Sequence, residues 1–253
     1  MNIETLSTIL SSENEFILFG IIHLLTLGII FVISFGFSFF IRDKYSLESF
    51  ASFEKILGFA LILNELLKPF YLIALGDYQW TNTVPLHACH ISSYTAGLFL
   101  LTREQRFFDF AYFWGLGGGT MALLTPDVKF TFPDLDFITL FFGHGLLFFS
   151  LIYIVIVIKQ KVTFGSLINA LKYSLILLPI MFGLNKFINK VFVIVPDSKY
   201  AANLWYLTNP PAGESLMSLF PAPPWHVFPV FPLVAIIFYM LYLPFYFAEK
   251  KSQ

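Results

Sequence analysis

Long apolar runs separated by short polar connections make up most of the chain. Seven runs stand out, and each is close to the roughly 20 residues that cross a bilayer core as a helix. They cover about residues 16–41, 50–75, 85–101, 107–124, 137–158, 166–191 and 226–247. The pattern predicts an all-α fold, with a single integral membrane domain over residues 1–253 that forms a bundle of about seven transmembrane helices.

One connection is much longer than the others. Residues 192–225 are rich in proline and aromatic side chains, whereas helices in a bundle are usually joined by about 2–8 residues. Long ordered loops are often functional. We therefore expect this connection to fold over the outer mouth of the bundle as a lid.

Lysine and arginine residues collect after the odd-numbered runs. Cytoplasmic loops are enriched in these two residues, so the odd-numbered helices are predicted to end in the cytoplasm. This places the N-terminus outside and the C-terminus in the cytoplasm. The residues that carry the argument are Arg42, Lys44, Arg103, Arg106, Lys159, Lys161, Lys250 and Lys251.

Composition agrees with a membrane protein. The chain is 57% hydrophobic and only 12% charged, with a mean hydropathy of +0.76, whereas soluble domains carry about 25% charged residues. The net charge of −1 argues against a nucleic-acid partner. The single cysteine excludes an internal disulfide.

Candidate chemistry gathers around that cysteine, Cys89. It lies near the start of the third run, between His87 and His90. The positive end of a helix and a nearby imidazole both favour a thiolate, so Cys89 is a candidate nucleophile. The alternative is a small buried thiol that only packs. In the predicted orientation all five histidines and the thiol lie towards the outer side, which favours a site.

His144 is the candidate base. It lies within the apolar segment Phe-Phe-Gly-His-Gly-Leu-Leu-Phe-Phe, and an ionisable group in such a run is expensive and usually functional. A neutral imidazole bonded to a backbone carbonyl is the alternative. Helix geometry turns Cys89 about 100° or more away from both His87 and His90. The base must therefore come from another helix, and His144 lies at a matching depth.

The other polar residues of this region leave alternatives open. His87 and His90 share a helix face, so a metal site with a third ligand is a weaker possibility. Glu65 either orients an imidazole or neutralises Lys68, three residues further along the same helix face. We expect His23 and His226 to be structural. Gly115 and Gly119 have the spacing of a close helix–helix contact.

Several motifs, taken in order and spacing, resemble the YwaF-type integral membrane family. That family includes the animal transmembrane protein 164, a phospholipid acyltransferase with an essential cysteine. The resemblance covers about residues 60–245. The motifs are Val-Pro-Leu-His-Ala-Cys-His-Ile-Ser92, Tyr112-Phe-Trp-Gly-Leu-Gly, Ala122-Leu-Leu-Thr-Pro-Asp127, Phe141-Phe-Gly-His144, Asn203-Leu-Trp-Tyr-Leu207 and Pro221-Ala-Pro-Pro-Trp225.

The resemblance implies chemistry through an acyl-thioester. Cys89 corresponds to the family's cysteine, and His144 to its histidine within a helix. His87 falls on the histidine that precedes the cysteine. The candidates for supporting or substrate-binding roles are His87, His90, Glu65, Asp127, Asn203 and Tyr206.

Together these arguments predict an enzyme of the cell membrane, a lipid acyltransferase whose active site faces the outer leaflet. Cys89 attacks an ester carbonyl of one phospholipid, His144 acts as the base, and a lysophospholipid or another amphiphilic alcohol or amine resolves the thioester. Asn203, Tyr206 or backbone amides would stabilise the oxyanion. Membrane phospholipids are the expected partners, and no metal or other cofactor is expected. The alternatives are a lipid ester hydrolase with the same residues, a transporter, or a lipid-binding accessory protein.

Overall fold

The computed structural model describes residues 3–192, 199–210 and 219–252. Helices dominate these residues, and their only β pairing is an isolated bridge between Glu15 and Phe130. The helices are α1 (Ile3–Ile9), α2 (Ile21–Ile41), α3 (Leu47–Leu75), α4 (Trp80–Thr83), α5 (Ala88–Thr102), α6 (Gln105–Leu124), α7 (Leu135–Ile156), α8 (Phe164–Phe192), the 3₁₀ helix Leu204–Tyr206 and α9 (Val227–Ser252).

Five of these helices are long and apolar enough to cross a membrane: α2, α3, α7, α8 and α9. The expected all-α membrane protein is thus confirmed. The third and fourth predicted spans form α5 and α6. Neither of these two helices is both long and apolar enough to be counted as a candidate membrane span. The 15 residues of α5 rise only about 22 Å, less than the ~30 Å of a bilayer core. The count of seven spans therefore stays a prediction.

The short helix α5 lies at the centre of the bundle, in contact with α3, α6 and α7. It crosses α3 where two glycines meet. A Cβ added to Gly97 would lie 2.7 Å from the backbone oxygen of Gly58, and a Cβ added to Gly58 would lie 3.0 Å from that of Gly97. Since no side chain fits between them, the two backbones touch, and this contact fixes the register of α5 against α3.

Glycines also bring α6 close to α7. A Cβ on Gly115 would lie 2.5 Å from Leu151, and one on Gly119 would lie 3.9 Å from the ring of His144. The spacing of these glycines predicts such a contact, and the structure shows it. His144 is therefore held between the glycine face of α6 and the helices α3 and α5.

A buried polar cluster ties the helices together at the far end of α5. Glu54 of α3 is 1% exposed. Its carboxylate accepts a hydrogen bond of 3.0 Å from the Tyr153 hydroxyl of α7 and another from Arg103 at the end of α5. Because both oxygens of Glu54 have partners, the buried charge is compensated. This cluster and the glycine crossing together set the position of α5.

Candidate functional site

A small buried cavity lies between α3, α5 and α7. Its volume is about 10 Å³, roughly the space of one water molecule. It brings together four residues that the sequence singled out, namely Cys89, His144, His90 and Glu65. The complete lining consists of Glu65, Lys68, Cys89, His90, Ser93, Gly143, His144 and Leu147.

The glycine crossing explains why Glu65 meets His90. Glu65 follows Gly58 by two helical turns on α3, and His90 precedes Gly97 by two turns on α5. The helices are antiparallel, so both side chains lie at the same height. The Oε2 atom of Glu65 is 3.5 Å from Nε2 of His90, a charge contact and not a hydrogen bond, because Oε2 has no hydrogen-bond partner among the described residues. The carboxylate of Glu65 also accepts a hydrogen bond of 3.2 Å from Asn64.

Glu65 had two possible roles, and the geometry supports one of them. Its closest charged or ionisable partner is the His90 imidazole, whereas no ion pair within 4.0 Å joins Glu65 to Lys68 in the described part of the chain. Lys68 lies in the wall of the same cavity. Glu65 is 4% exposed. The carboxylate therefore lies against the imidazole and not in an intrahelical pair with the lysine, which favours the orienting role.

The tautomer of His90 follows from its contacts. Its Nδ1 atom accepts a hydrogen bond of 3.2 Å from the backbone N–H of His87, the residue that caps α5. In the neutral ring the hydrogen is therefore on Nε2, which faces Glu65. This assignment rests on the hydrogen-bond partners of the ring. Since Nδ1 uses its lone pair on the N–H of His87 and Nε2 carries the hydrogen, the neutral ring has no lone pair left to accept a proton from Cys89.

His144 has the opposite arrangement. Its Nδ1 atom lies 2.9 Å from the carbonyl oxygen of Leu140. A carbonyl only accepts, so Nδ1 carries the hydrogen and Nε2 carries a lone pair. Nε2 is buried and has no hydrogen-bond partner in the described residues. The two interpretations of His144, a neutral imidazole bonded to a backbone carbonyl and a general base, are therefore compatible. The bond to the Leu140 carbonyl uses Nδ1 and leaves Nε2 free to accept a proton.

Cys89 is the second residue of α5. The N–H groups in the first turn of a helix have no partner within that helix, and this end of the helix dipole is positive. Such a position favours a negatively charged sulfur. The thiol is partly exposed and lines the cavity with His144. The thiol at the start of the helix and the His144 side chain thus line the same cavity.

Part of the long connection covers the start of α5. The backbone N–H of Trp205 donates to Nδ1 of His87 at 3.4 Å, and its indole N–H donates to the Leu86 carbonyl at 2.9 Å. The Tyr206 ring centre lies 5.4 Å from that of His87. Trp205 and Tyr206 both have positive φ, 58° and 54°. This strained turn is held directly above the cysteine helix.

Two contacts anchor the covering segment. The Asn185 side chain of α8 accepts from the N–H of Leu204 at 2.7 Å and donates to its carbonyl at 2.9 Å.

At the surface, Lys199 and the Tyr200 hydroxyl bond to Asp77 and lower the pKa of its carboxyl. Residues 193–198 and 211–218 of the predicted lid lie outside the described residues.

Tyr206 and Asn203, which both belong to the long connection, have different hydrogen-bond partners. Tyr206 lies near the site, and its hydroxyl donates a hydrogen bond of 3.4 Å to Asp127. Burial and the charge of Asp127 raise the pKa of Tyr206, so the phenol keeps the proton that it donates to Asp127. Asn203 instead bonds within its own turn: its Oδ1 accepts from Thr208 and Asn209, and its amide donates to the Asn209 carbonyl. Its polar atoms are thus already engaged.

His23 and His226 lie away from the cavity. His23 bonds to the Leu123 carbonyl at 2.9 Å and to the N–H of Phe19 at 3.0 Å, and it is 1% exposed. His226 is buried in front of α9. Neither lines the cavity. Within the described ranges no three His, Cys, Asp or Glu side chains are grouped to hold a metal ion.

Sequence reasoning did not select Ser93 and Lys68 for the site. Ser93 is four residues after Cys89, hence on the same face of α5, and it is 2% exposed. The spacing of four residues from Cys89 could therefore have identified Ser93 from the sequence. Lys68 was considered only as a partner for Glu65, although a cation beside a thiol helps to stabilise a thiolate.

Replacing Asn185 with alanine tests how firmly the covering segment is held. The change leaves the buried N–H of Leu204 without a partner, at a cost of about 1–3 kcal/mol, whereas the Leu204 carbonyl still accepts from the N–H of Leu207 at 3.3 Å. We expect Asn185→Ala to lower the free energy of unfolding by about 1–3 kcal/mol, measured by denaturant unfolding in detergent. Asn209→Ala is the control, because only backbone atoms of Asn209 bond to Asn203. Equal stability of the two variants would contradict the anchoring role.

The fold and the site together define a class of protein, an α-helical membrane bundle with a cavity that is lined by a thiol, imidazoles and a carboxylate. The model of the TMEM164 family matches residues 10–242. The chain therefore belongs to the TMEM164 family, and the expected relation to transmembrane protein 164 is confirmed. No curated protein and no solved structure matches the chain.

Proposed function

We propose that the protein is a membrane-embedded acyltransferase that moves a fatty acyl chain between phospholipids through a thioester on Cys89. One observation carries the proposal. The thiol at the start of α5 shares a cavity with His144, whose buried Nε2 atom has no hydrogen-bond partner among the described residues. A nucleophile beside a base with a free lone pair is the arrangement that covalent acyl transfer needs.

The first half of the reaction acylates the cysteine. The sulfur of Cys89 attacks the ester carbonyl of a phospholipid, and its proton passes to Nε2 of His144. The tetrahedral intermediate collapses, the ester C–O bond breaks, and the departing lysophospholipid oxygen takes the proton back from His144. The acyl chain remains on the sulfur as a thioester.

The second half transfers the acyl group to an acceptor. The hydroxyl of a second lysophospholipid attacks the thioester and gives its proton to His144. The C–S bond breaks, and the proton returns to the sulfur. Water in place of the lysophospholipid would give a free fatty acid, so the same residues would then act as a hydrolase.

Two further residues support these steps. The protonated phenol of Tyr206 lies close enough to Cys89 for a thiolate there to act on its pKa, and we assign it the stabilisation of the oxyanion. In this structure the Tyr206 hydroxyl donates to Asp127 at 3.4 Å, so it would turn from that carboxylate to the oxyanion. Asn203 has its amide oxygen and nitrogen both engaged in its own turn and is the weaker candidate. Glu65 and His90 hold the cavity wall in place as positioning residues.

Substrate entry requires the site to open. A cavity of about 10 Å³ cannot hold an ester with its acyl chain. The segment around Trp205 and Tyr206 covers the start of α5 and has a strained backbone, so we assign it the role of the lid. Its displacement would admit the lipid from the outer leaflet.

Mass spectrometry tests the proposal directly. Purified protein is incubated with a phospholipid of defined acyl chains, and its intact mass and Cys89 peptide are measured. We expect an added acyl group on Cys89 that is lost when lysophospholipid is supplied, with formation of a new diacyl lipid. Release of free fatty acid alone would identify a hydrolase. The absence of any adduct or product across donor lipids would contradict covalent catalysis.

The orientation of the bundle is tested separately. With seven spans, an N-terminus outside and a C-terminus in the cytoplasm, a cysteine at position 13 faces outwards and one at position 250 faces inwards. In a Cys89→Ser background, we expect a membrane-impermeant maleimide on intact cells to label Glu13→Cys but not Lys250→Cys. Labelling of Lys250→Cys after lysis is the control. Both sites reacting from outside would refute an odd number of spans.

A further inference from the structure

A second and larger cavity opens between α6, α7 and α9. Its volume is about 530 Å³, within the range of about 300–1,000 Å³ that is usual for small-molecule sites. Its wall is almost entirely apolar. The apolar side chains that form it are Leu116, Ile152, Val155, Pro244, Phe245 and Ala248.

This cavity is separate from the cysteine site. The two share no lining residue. From His144 to the end of α7 at Ile156 the helix rises about 18 Å, and the mouth of the larger cavity lies beyond that end, at residues 159–161. The proposed acyl transfer at Cys89 therefore does not account for it.

Two lysines stand at the mouth of the cavity. Lys159 and Lys161 both line it and are both exposed. Within the described part of the chain neither forms an ion pair, and no acidic side chain lines the cavity. Their positive charge is therefore available to a ligand.

The backbone fixes the position of one of these lysines. Lys159 has φ of 60°, the left-handed conformation that glycine normally supplies after the last turn of a helix. The N–H of Gln160 closes this turn by bonding to the carbonyl of Ile154 at 3.1 Å. A cationic side chain is thus held at the rim by a defined turn.

We propose that this cavity binds an anionic phospholipid, with an acyl chain against the apolar wall and the phosphate beside Lys159 and Lys161. Basic pockets at the ends of membrane helices recognise acidic lipid head groups through this combination of charge and apolar surface. A lipid without net negative charge would gain only the apolar contact. The proposal does not depend on the chemistry at Cys89.

Native mass spectrometry of the full-length protein in detergent tests this site. The protein is titrated with dioleoyl phosphatidylglycerol and, separately, with dioleoyl phosphatidylcholine. We expect one phosphatidylglycerol molecule to bind at least about fivefold more tightly, and Lys159→Gln combined with Lys161→Gln to remove most of that preference. The control is Lys250→Gln combined with Lys251→Gln, which changes the same charge outside the cavity.

A second pair of variants tests the apolar wall. Ala248→Trp fills the cavity, whereas Phe247→Trp adds bulk at an exposed neighbour that does not line it. We expect only Ala248→Trp to weaken phosphatidylglycerol binding. Equal binding of the two lipids, or equal losses from both lysine pairs, would show general attraction to the surface and overturn the proposal. Unchanged binding in Ala248→Trp would overturn it as well.

Discussion

Cys89→Ser is expected to abolish acyl transfer and the acyl adduct. Serine has nearly the same size, so the packing of α5 changes little. Its hydroxyl, however, ionises far less readily than a thiol, so the positive start of α5 and the His144 lone pair no longer suffice to form the nucleophile. The measurement is the rate of formation of diacyl lipid from a donor phospholipid and a lysophospholipid, together with the intact mass of the protein.

The control for this variant is Ser93→Ala, which changes a buried side chain of the same cavity one turn further along α5. We expect it to retain the acyl adduct. Thermal unfolding in detergent should give similar midpoints for Cys89→Ser and the unchanged protein. Full activity of Cys89→Ser would mean that the thiol only packs, and the thioester route would be wrong.

His144→Ala is expected to slow acyl transfer by about 100-fold to 10,000-fold, the usual range for loss of a general base. The change removes the one cavity imidazole whose second nitrogen is free of a described partner. His90 cannot substitute, because its two nitrogens face the backbone N–H of His87 and the carboxylate of Glu65. The rate of adduct formation on Cys89 measures the effect.

Added imidazole separates a catalytic role from a structural one. The smaller alanine side chain leaves space beside Cys89, so free imidazole should restore part of the rate in His144→Ala. His23→Ala is the comparison, because His23 is buried but bonds only to backbone atoms away from the cavity. It should lose stability and keep its rate per folded molecule. Equal rate losses in the two variants, without rescue, would remove His144 as the base.

The sequence alone determined the class of the protein and most of its candidate residues. Length and hydropathy of a run are local properties, so they located α2, α3, α7, α8 and α9 within a few residues. Length and hydropathy did not decide whether α5 spans the membrane, because a helix of 15 residues is short for a membrane span. Local chemistry was sufficient to single out Cys89 and His144, a lone thiol at a helix start and an imidazole in an apolar run.

Only the tertiary structure decided how these residues are arranged around each other. The contact of Gly58 with Gly97 sets the register that gives Glu65 an imidazole partner, and neither helix contains that information by itself. The free Nε2 of His144 depends on which nitrogen meets the Leu140 carbonyl, a choice of rotamer made by packing. The covering turn at Trp205 and the cavity with two lysines at its mouth are also formed by segments that are far apart in the chain. Contacts between distant segments leave no periodic pattern in the sequence, so the sequence could not predict them.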